Sequence, residues 1–140
     1  MTTILILCTG NSCRSQMAHG ILNHLTADDV QVYSAGITTH GVHPKAVATL
    51  AAKGIDISHH TSNKVEEYAH LSFDYVITVC DHAQEHCPVF FSDTAVRIHQ
   101  NFNDPSKLKG TEEELLTAFA HTRDEITAFC NTFIASHLKL

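Results

Sequence analysis

An α/β fold, a four-stranded parallel sheet with helices on both faces, is predicted by three observations. Short apolar runs suited to strands alternate along the chain with longer stretches of helical periodicity. That alternation implies parallel strands joined by helical crossovers. The length, 140 residues, suits a single domain spanning 1–140 with one substantial core.

Ile4-Leu5-Ile6-Leu7 is a continuous apolar run, the pattern of a central parallel strand covered on both faces. A helix from about Gln16 to Leu25 turns Met17, Ile21, Leu22 and Leu25 to one side. Val30–Ser34 reads as the second strand, with Ala35-Gly36 turning it into a loop that ends at Val42. Pro44 fits the first turn of a helix that runs to Lys53 and stops at Gly54. Tyr75–Val79 is the third strand, delivering Cys80 at its end, and Ala95–Ile98 is a short fourth. Thr111 and Glu114 form a capping box that opens a long helix through Ile134, with Leu115, Phe119, Ile126 and Phe133 among its buried positions.

A hydrophobic fraction of 44% and a charged fraction of 17% are those of a soluble globular protein. No apolar run approaches the ~20 residues of a membrane span, and the N-terminal apolar stretch lacks a preceding basic region. A cytoplasmic location is expected, without a membrane partner. The net charge of -6 and the lack of a basic patch argue against nucleic acid. Five cysteines, an odd number, point to reactive thiols more than to a disulfide framework.

The stretch after the first strand carries the chemistry: Cys8-Thr9-Gly10-Asn11-Ser12-Cys13-Arg14-Ser15. Gly10, Asn11 and Ser12 tolerate the backbone angles that turn successive N–H groups inward, and a helix starting near Ser15 adds its own unpaired N–H groups. Such a nest binds an oxyanion, with residues 9–15 as its lining. Cys8 at the rim is expected to have its thiol lowered by these donors and by Arg14, making it a nucleophile at neutral pH. Arg14 offers a planar fork for two oxygens of the anion, and Ser15 is placed to donate to the sulfur. Cys13, inside the loop, is expected to be packed rather than reactive, and Cys130 to be core or a bystander. Most of the twelve histidines, His59 and His60 included, are expected at the surface.

Cys-x5-Arg-Ser after a first strand resembles the low-molecular-weight tyrosine phosphatases. The longer run from Cys8 to Ala18 resembles the thioredoxin-coupled arsenate reductases built on that fold, and the match extends over nearly the whole chain. The resemblance implies arsenate as substrate, reduced thioredoxin as electron donor and no bound cofactor. It also implies that Asp104, in Asn103-Asp104-Pro105, protonates the leaving oxygen. Ser106 and Lys107 follow where tyrosine phosphatases commonly carry aromatic residues, which favours a small inorganic substrate. Cys80 and Cys87 stand where the reductases carry two relay cysteines. By that resemblance Cys8, Cys80 and Cys87 act in turn; without the relay the chain would be a simple phosphatase, the second reading.

Cys80, His82, His86 and Cys87 also offer four zinc ligands. Their spacing is compact and a bound zinc would block the relay, so no metal is expected. Some relatives hold a potassium ion behind the loop; Asn11, Ser34 and Thr61 match its neutral ligands, whereas His19 and Asn63 replace its carboxylates. The ion site is therefore expected to be lost, with His19 bracing the space and a nearby imidazolium repelling a cation. Finally, a helix from Cys80 to Cys87 would hold the two α-carbons about 10.5 Å apart and must open before they can bridge.

Overall fold

The computed structural model describes residues 1–81 and 95–138. Strands β1 (Thr2–Cys8), β2 (Val30–Gly36), β3 (Tyr75–Thr78) and β4 (Val96–His99) form one parallel sheet in the order β2-β1-β3-β4. Ile4 to Leu7 are each at most 1% exposed, which is why this strand is apolar throughout instead of alternating. Among the described residues three α-helices accompany the sheet: α1 (Arg14–Leu25), α2 (Pro44–Ala51) and α3 (Glu112–Phe133).

Register assigns the faces. Ile4 pairs with Val32 and Tyr75, and Leu5 pairs with Tyr33 and Val76. On the first face Tyr75 meets Phe133 of α3 with ring centroids 5.2 Å apart, and Ser34 bonds His19 of α1. On the opposite face Tyr33 packs against Tyr68, in the 3-10 turn Val65–Tyr68, and against Phe73. The chain passes from β1 to β2 on one side and then crosses to β3 on the other. The carboxyl ends of β1 and β3 therefore diverge at a switch point, the place where such sheets bind ligands. Cys8 ends β1, and Cys80 lies two residues past the end of β3.

Several boundaries differ from the sequence expectation. β2 runs on through Ala35 to Gly36 because Gly36 pairs with Cys8 and its N–H is taken by Asn63 O at 2.8 Å. Its lack of a side chain, more than any turn, is what matters: a Cβ there would meet Thr38 O and also lie 2.7 Å from Asn11 N and 2.8 Å from Thr9 O. α2 ends at Ala51, and Gly54, at φ 76°, closes it by donating to Ala51 O. β3 stops at Thr78 and β4 covers Val96–His99. α3 opens on the expected Thr111/Glu114 box but gives way at Ile134 to a π-helical turn, and Leu115 is half-buried. The expected Cys80–Cys87 helix lies beyond Asp81, outside the described residues. Among the described residues no helix is long and apolar enough to cross a membrane.

Candidate active site

The loop between β1 and α1 becomes a nest because its carbonyls are all tied from outside. Residues 37–43 run alongside it and donate backbone N–H groups: Ile37 to Cys8 O, Thr38 to Thr9 O, His40 to Gly10 O and His43 to Ser12 O, at 2.9–3.3 Å. Asn11 O takes the Gln16 side-chain amide at 3.1 Å. With the carbonyls turned outward, the loop N–H groups are left to face the cavity, joined by those of the first turn of α1. Asn11 alone among described non-glycine residues has positive φ, 49°. Its side chain is fixed in that strained geometry, giving a hydrogen bond to Ser15 Oγ at 2.9 Å and accepting one from Asn63 N at 2.8 Å. At Gly10 a Cβ would meet the ring of the exposed His40, which would have to shift.

A cavity of about 200 Å³ opens over this loop, with Cys8 at its floor and His40, Asp104, Ser106 and Lys107 around its mouth. Arg14 is buried against it, and its Nη1 is anchored on Phe102 O at 2.9 Å. Arg14 Nη2 lies 3.5 Å from Asp104 Oδ2, while Arg14 Nε is buried with no partner. A buried, unpartnered charged donor is costly unless a ligand satisfies it, and an oxyanion bound side-on to Nε and Nη2 does so. Asp104 Oδ1 accepts from Ser106 N and Oγ at 3.0 and 2.6 Å, which leaves Oδ2 for the cavity.

Cys80 comes to the same place. It is 3% exposed, its Sγ is 3.2 Å from Thr9 Oγ1, and it hydrogen-bonds the Cys8 thiol. That bond and burial push the Cys8 thiol up, against the pull of the Arg14 guanidinium and the Thr9 N–H. The expectation of a thiol lowered by the loop donors and Arg14 is thus corrected. Two buried thiols in contact titrate as a pair, and two adjacent thiolates repel. Ser15 Oγ accepts from Asn11 Nδ2 at 2.9 Å, which leaves its own O–H free to donate, and the Thr9 N–H donates to Cys8. Cys13 is packed, with burial and then Asp104 pushing its thiol up to about 12, and burial does the same to Cys130. Cys87, His82 and His86 lie outside the described residues.

The model of the low molecular weight phosphotyrosine protein phosphatases matches residues 3–139. The chain belongs to that family. Within it, the chain is 46% identical over 130 residues to an arsenate reductase of Halalkalibacterium halodurans, covering 93% of both chains. It is 47% identical over 124 residues to an arsenate reductase of Bacillus licheniformis, covering 89% of this chain and 88% of that one. Among solved structures, an arsenate reductase in the phosphate binding state superposes with a TM-score of 0.78 at 29% identity, covering 97% of this chain and 98% of the other.

The space behind the phosphatase loop is filled by protein donors. Gln16 Nε2 donates to Asn11 O and Thr61 O at 3.1 and 3.0 Å, bringing together two carbonyls that a cation would otherwise bridge. Gln16 Oε1 takes His60 Nδ1 at 2.9 Å, Thr61 Oγ1 bonds Asn63 Oδ1 at 2.8 Å, and Ser34 Oγ lies 2.8 Å from His19 Nδ1. These residues do not fit a potassium ion, because the oxygens of the ligand set are already engaged. Replacing sodium by potassium at fixed ionic strength should therefore leave substrate affinity within about twofold, or ~0.4 kcal/mol. A several-fold gain in affinity would contradict this filling.

The His19 ring beside Ser34 is neutral, not the imidazolium expected from sequence. Burial, followed by His60 and His59, lowers it to about 3. His60 is correspondingly not a plain surface residue; its ring lies against His19 in a tilted contact with centroids 4.4 Å apart. Since His19 stays neutral in the fold but protonates near 6.5 when unfolded, its contribution to stability is complete above pH 6.5 and is lost as pH falls toward 3. Between pH 7 and pH 5 the loss from this ring should be roughly 1–2 kcal/mol. Urea unfolding at the two pH values checks it: the wild type should lose more stability than His19→Gln, and equal losses would contradict it.

The 37–43 segment, Gln16, His40 and Phe102 O escaped the sequence reading. Each acts by a backbone contact or across a long separation, and nothing in its local sequence marks it.

Proposed function

We propose that this chain is a cytoplasmic arsenate reductase that uses Cys8, Cys80 and Cys87 in turn, with reduced thioredoxin as electron donor. The contact between Cys8 and Cys80 at the floor of an anion cradle carries the reading, because a hydrolytic phosphatase needs one thiol there and not two. The names of the relatives support arsenate as the substrate.

Arsenate enters as a dianion, its oxygens on the loop N–H groups and on Arg14 Nε and Nη2. The dianion is itself a base able to take the Cys8 proton. The Cys8 thiolate attacks arsenic, and Asp104 at the mouth gives a proton to the departing oxygen, which leaves as water. The Cys80 thiolate then attacks Cys8 Sγ. The S–S bond forms, the S–As bond breaks, and its electron pair reduces As(V) to As(III), which leaves as arsenite. In sum, arsenate and two thiols become arsenite, water and a disulfide. Cys87 attacks Cys80, moving the disulfide to Cys80–Cys87 and freeing Cys8, and the dithiol of thioredoxin reduces that bond. No resident metal or cofactor takes part in these steps.

The second reading, hydrolysis of phosphate monoesters, draws on the same cradle and on the family, and we place it as a side activity of Cys8, Arg14 and Asp104. The test is a coupled assay with thioredoxin, thioredoxin reductase and NADPH. Arsenate-dependent NADPH consumption with stoichiometric arsenite supports the proposal; aryl phosphate hydrolysis without arsenite production overturns it in favour of the phosphatase.

A further inference from the structure

We infer that His99 is a positioning residue for Cys80, acting through Asp81. The inference rests on the proposed role of Cys80 as the second thiol. His99 is the last residue of β4, and its ring bridges two residues on either side of Cys80. Nδ1 lies 2.8 Å from Thr78 Oγ1, and Nε2 lies 2.7 Å from Asp81 Oδ1. A carboxylate only accepts, so Nε2 carries a proton; in the neutral ring Nδ1 then accepts from the Thr78 hydroxyl. Asp81 is held a second time, its backbone N–H donating to Asn101 Oδ1 at 3.2 Å.

The effect is a clasp closed around Val79 and Cys80. On the upstream side Val79 is paired in the sheet, its N–H on Leu7 O at 3.0 Å and its carbonyl taking Phe102 N at 3.1 Å. On the downstream side the described ties are the Asp81 carboxylate on His99, with the Asp81 side chain 70% exposed, and the Asp81 N–H on Asn101. As a source of stability a hydrogen bond this exposed is worth little. As a geometric restraint it matters more, because Cys80 must attack Cys8 Sγ in line with the S–As bond. A displacement of about 1 Å costs on the order of 10²-fold in such a step. The clasp is also breakable: Cys80 must later turn from Cys8 to Cys87, and an exposed hydrogen bond can open without disturbing the core.

The experiment uses the full chain, reduced, with excess arsenate and no thioredoxin, so that only the first turnover is read. His99→Ala and Asp81→Ala are each expected to slow arsenite release by about 10-fold or more. The double variant should be no slower than either, and Asp81→Asn, which keeps an acceptor, should recover most of the rate. Aryl phosphate hydrolysis, which uses Cys8 without Cys80, should stay within twofold and also reports that each variant folds. Alkylation of Cys80 by iodoacetamide should rise several-fold in the alanine variants, and it reads the clasp without any arsenic chemistry. Wild-type arsenite release and wild-type alkylation in His99→Ala would overturn the inference, as would a parallel fall in both activities. Faster Cys80 alkylation in a protein whose wild type makes no arsenite would support the clasp while removing the reductase reading.

Discussion

Cys80→Ser is expected to abolish arsenate reduction while leaving aryl phosphate hydrolysis largely intact. In the proposed mechanism the two reactions share the cradle, Cys8, Arg14 and Asp104, and part only after the first covalent bond. A phosphoryl group on Cys8 can be released by water, whereas arsenite leaves only if a second thiol takes the Cys8 sulfur. Serine keeps the size of Cys80 and a hydrogen bond to Thr9, so the floor of the site is preserved. Its hydroxyl cannot form a disulfide. Arsenite and nitrophenol release from the same preparation check the prediction: no arsenite within detection, and phosphatase activity within a few-fold of wild type. Loss of both activities would mean that Cys80 supports the cradle itself. Removing the neighbour should also lower the Cys8 thiol, since the Cys80 contact is the largest cause raising it.

Cys8→Ser should have the larger effect, removing both activities by roughly 10⁴-fold or more, as loss of a nucleophile does elsewhere. Anion binding should survive, because the donors are the loop backbone and Arg14, whose Nη1 stays anchored on Phe102 O. Stabilisation of the variant by inorganic phosphate, followed by thermal unfolding, separates the two roles. Retained stabilisation with no turnover identifies Cys8 as nucleophile only; loss of both would make its side chain part of the binding surface.

The parts of the molecule legible in the sequence are those set by local pattern. β1 announces itself because Ile4 to Cys8 are buried in an unbroken run, α3 by the Thr111/Glu114 box, and the loop by its small residues between a strand and a helix. What was not legible is how that loop is held. Its outward carbonyls are met by residues 37–43, and the only sequence trace of that contact is Gly36, which reads equally well as a turn. Gln16 looked like an ordinary helical residue, yet its amide bridges Asn11 O and Thr61 O from positions far apart in sequence. The upward push on the Cys8 thiol is hidden from the sequence for the same reason. The loop and Arg14 are adjacent in the chain, but the thiol that outweighs them comes from the end of another strand. His19 was placed correctly behind the loop and given the wrong charge, because burial beside two further histidines depends on packing.

The central claim, a disulfide passed from Cys8 to Cys80 and then to Cys87, is tested most directly in the Cys87→Ser variant treated with arsenate, thioredoxin, thioredoxin reductase and NADPH. Arsenite is counted and the cysteine-containing peptides are mapped by mass spectrometry under non-reducing conditions. The account predicts one arsenite per chain, then arrest, with Cys8 and Cys80 joined. Sustained arsenite production by this variant, or arrest without a Cys8–Cys80 bond, would contradict it.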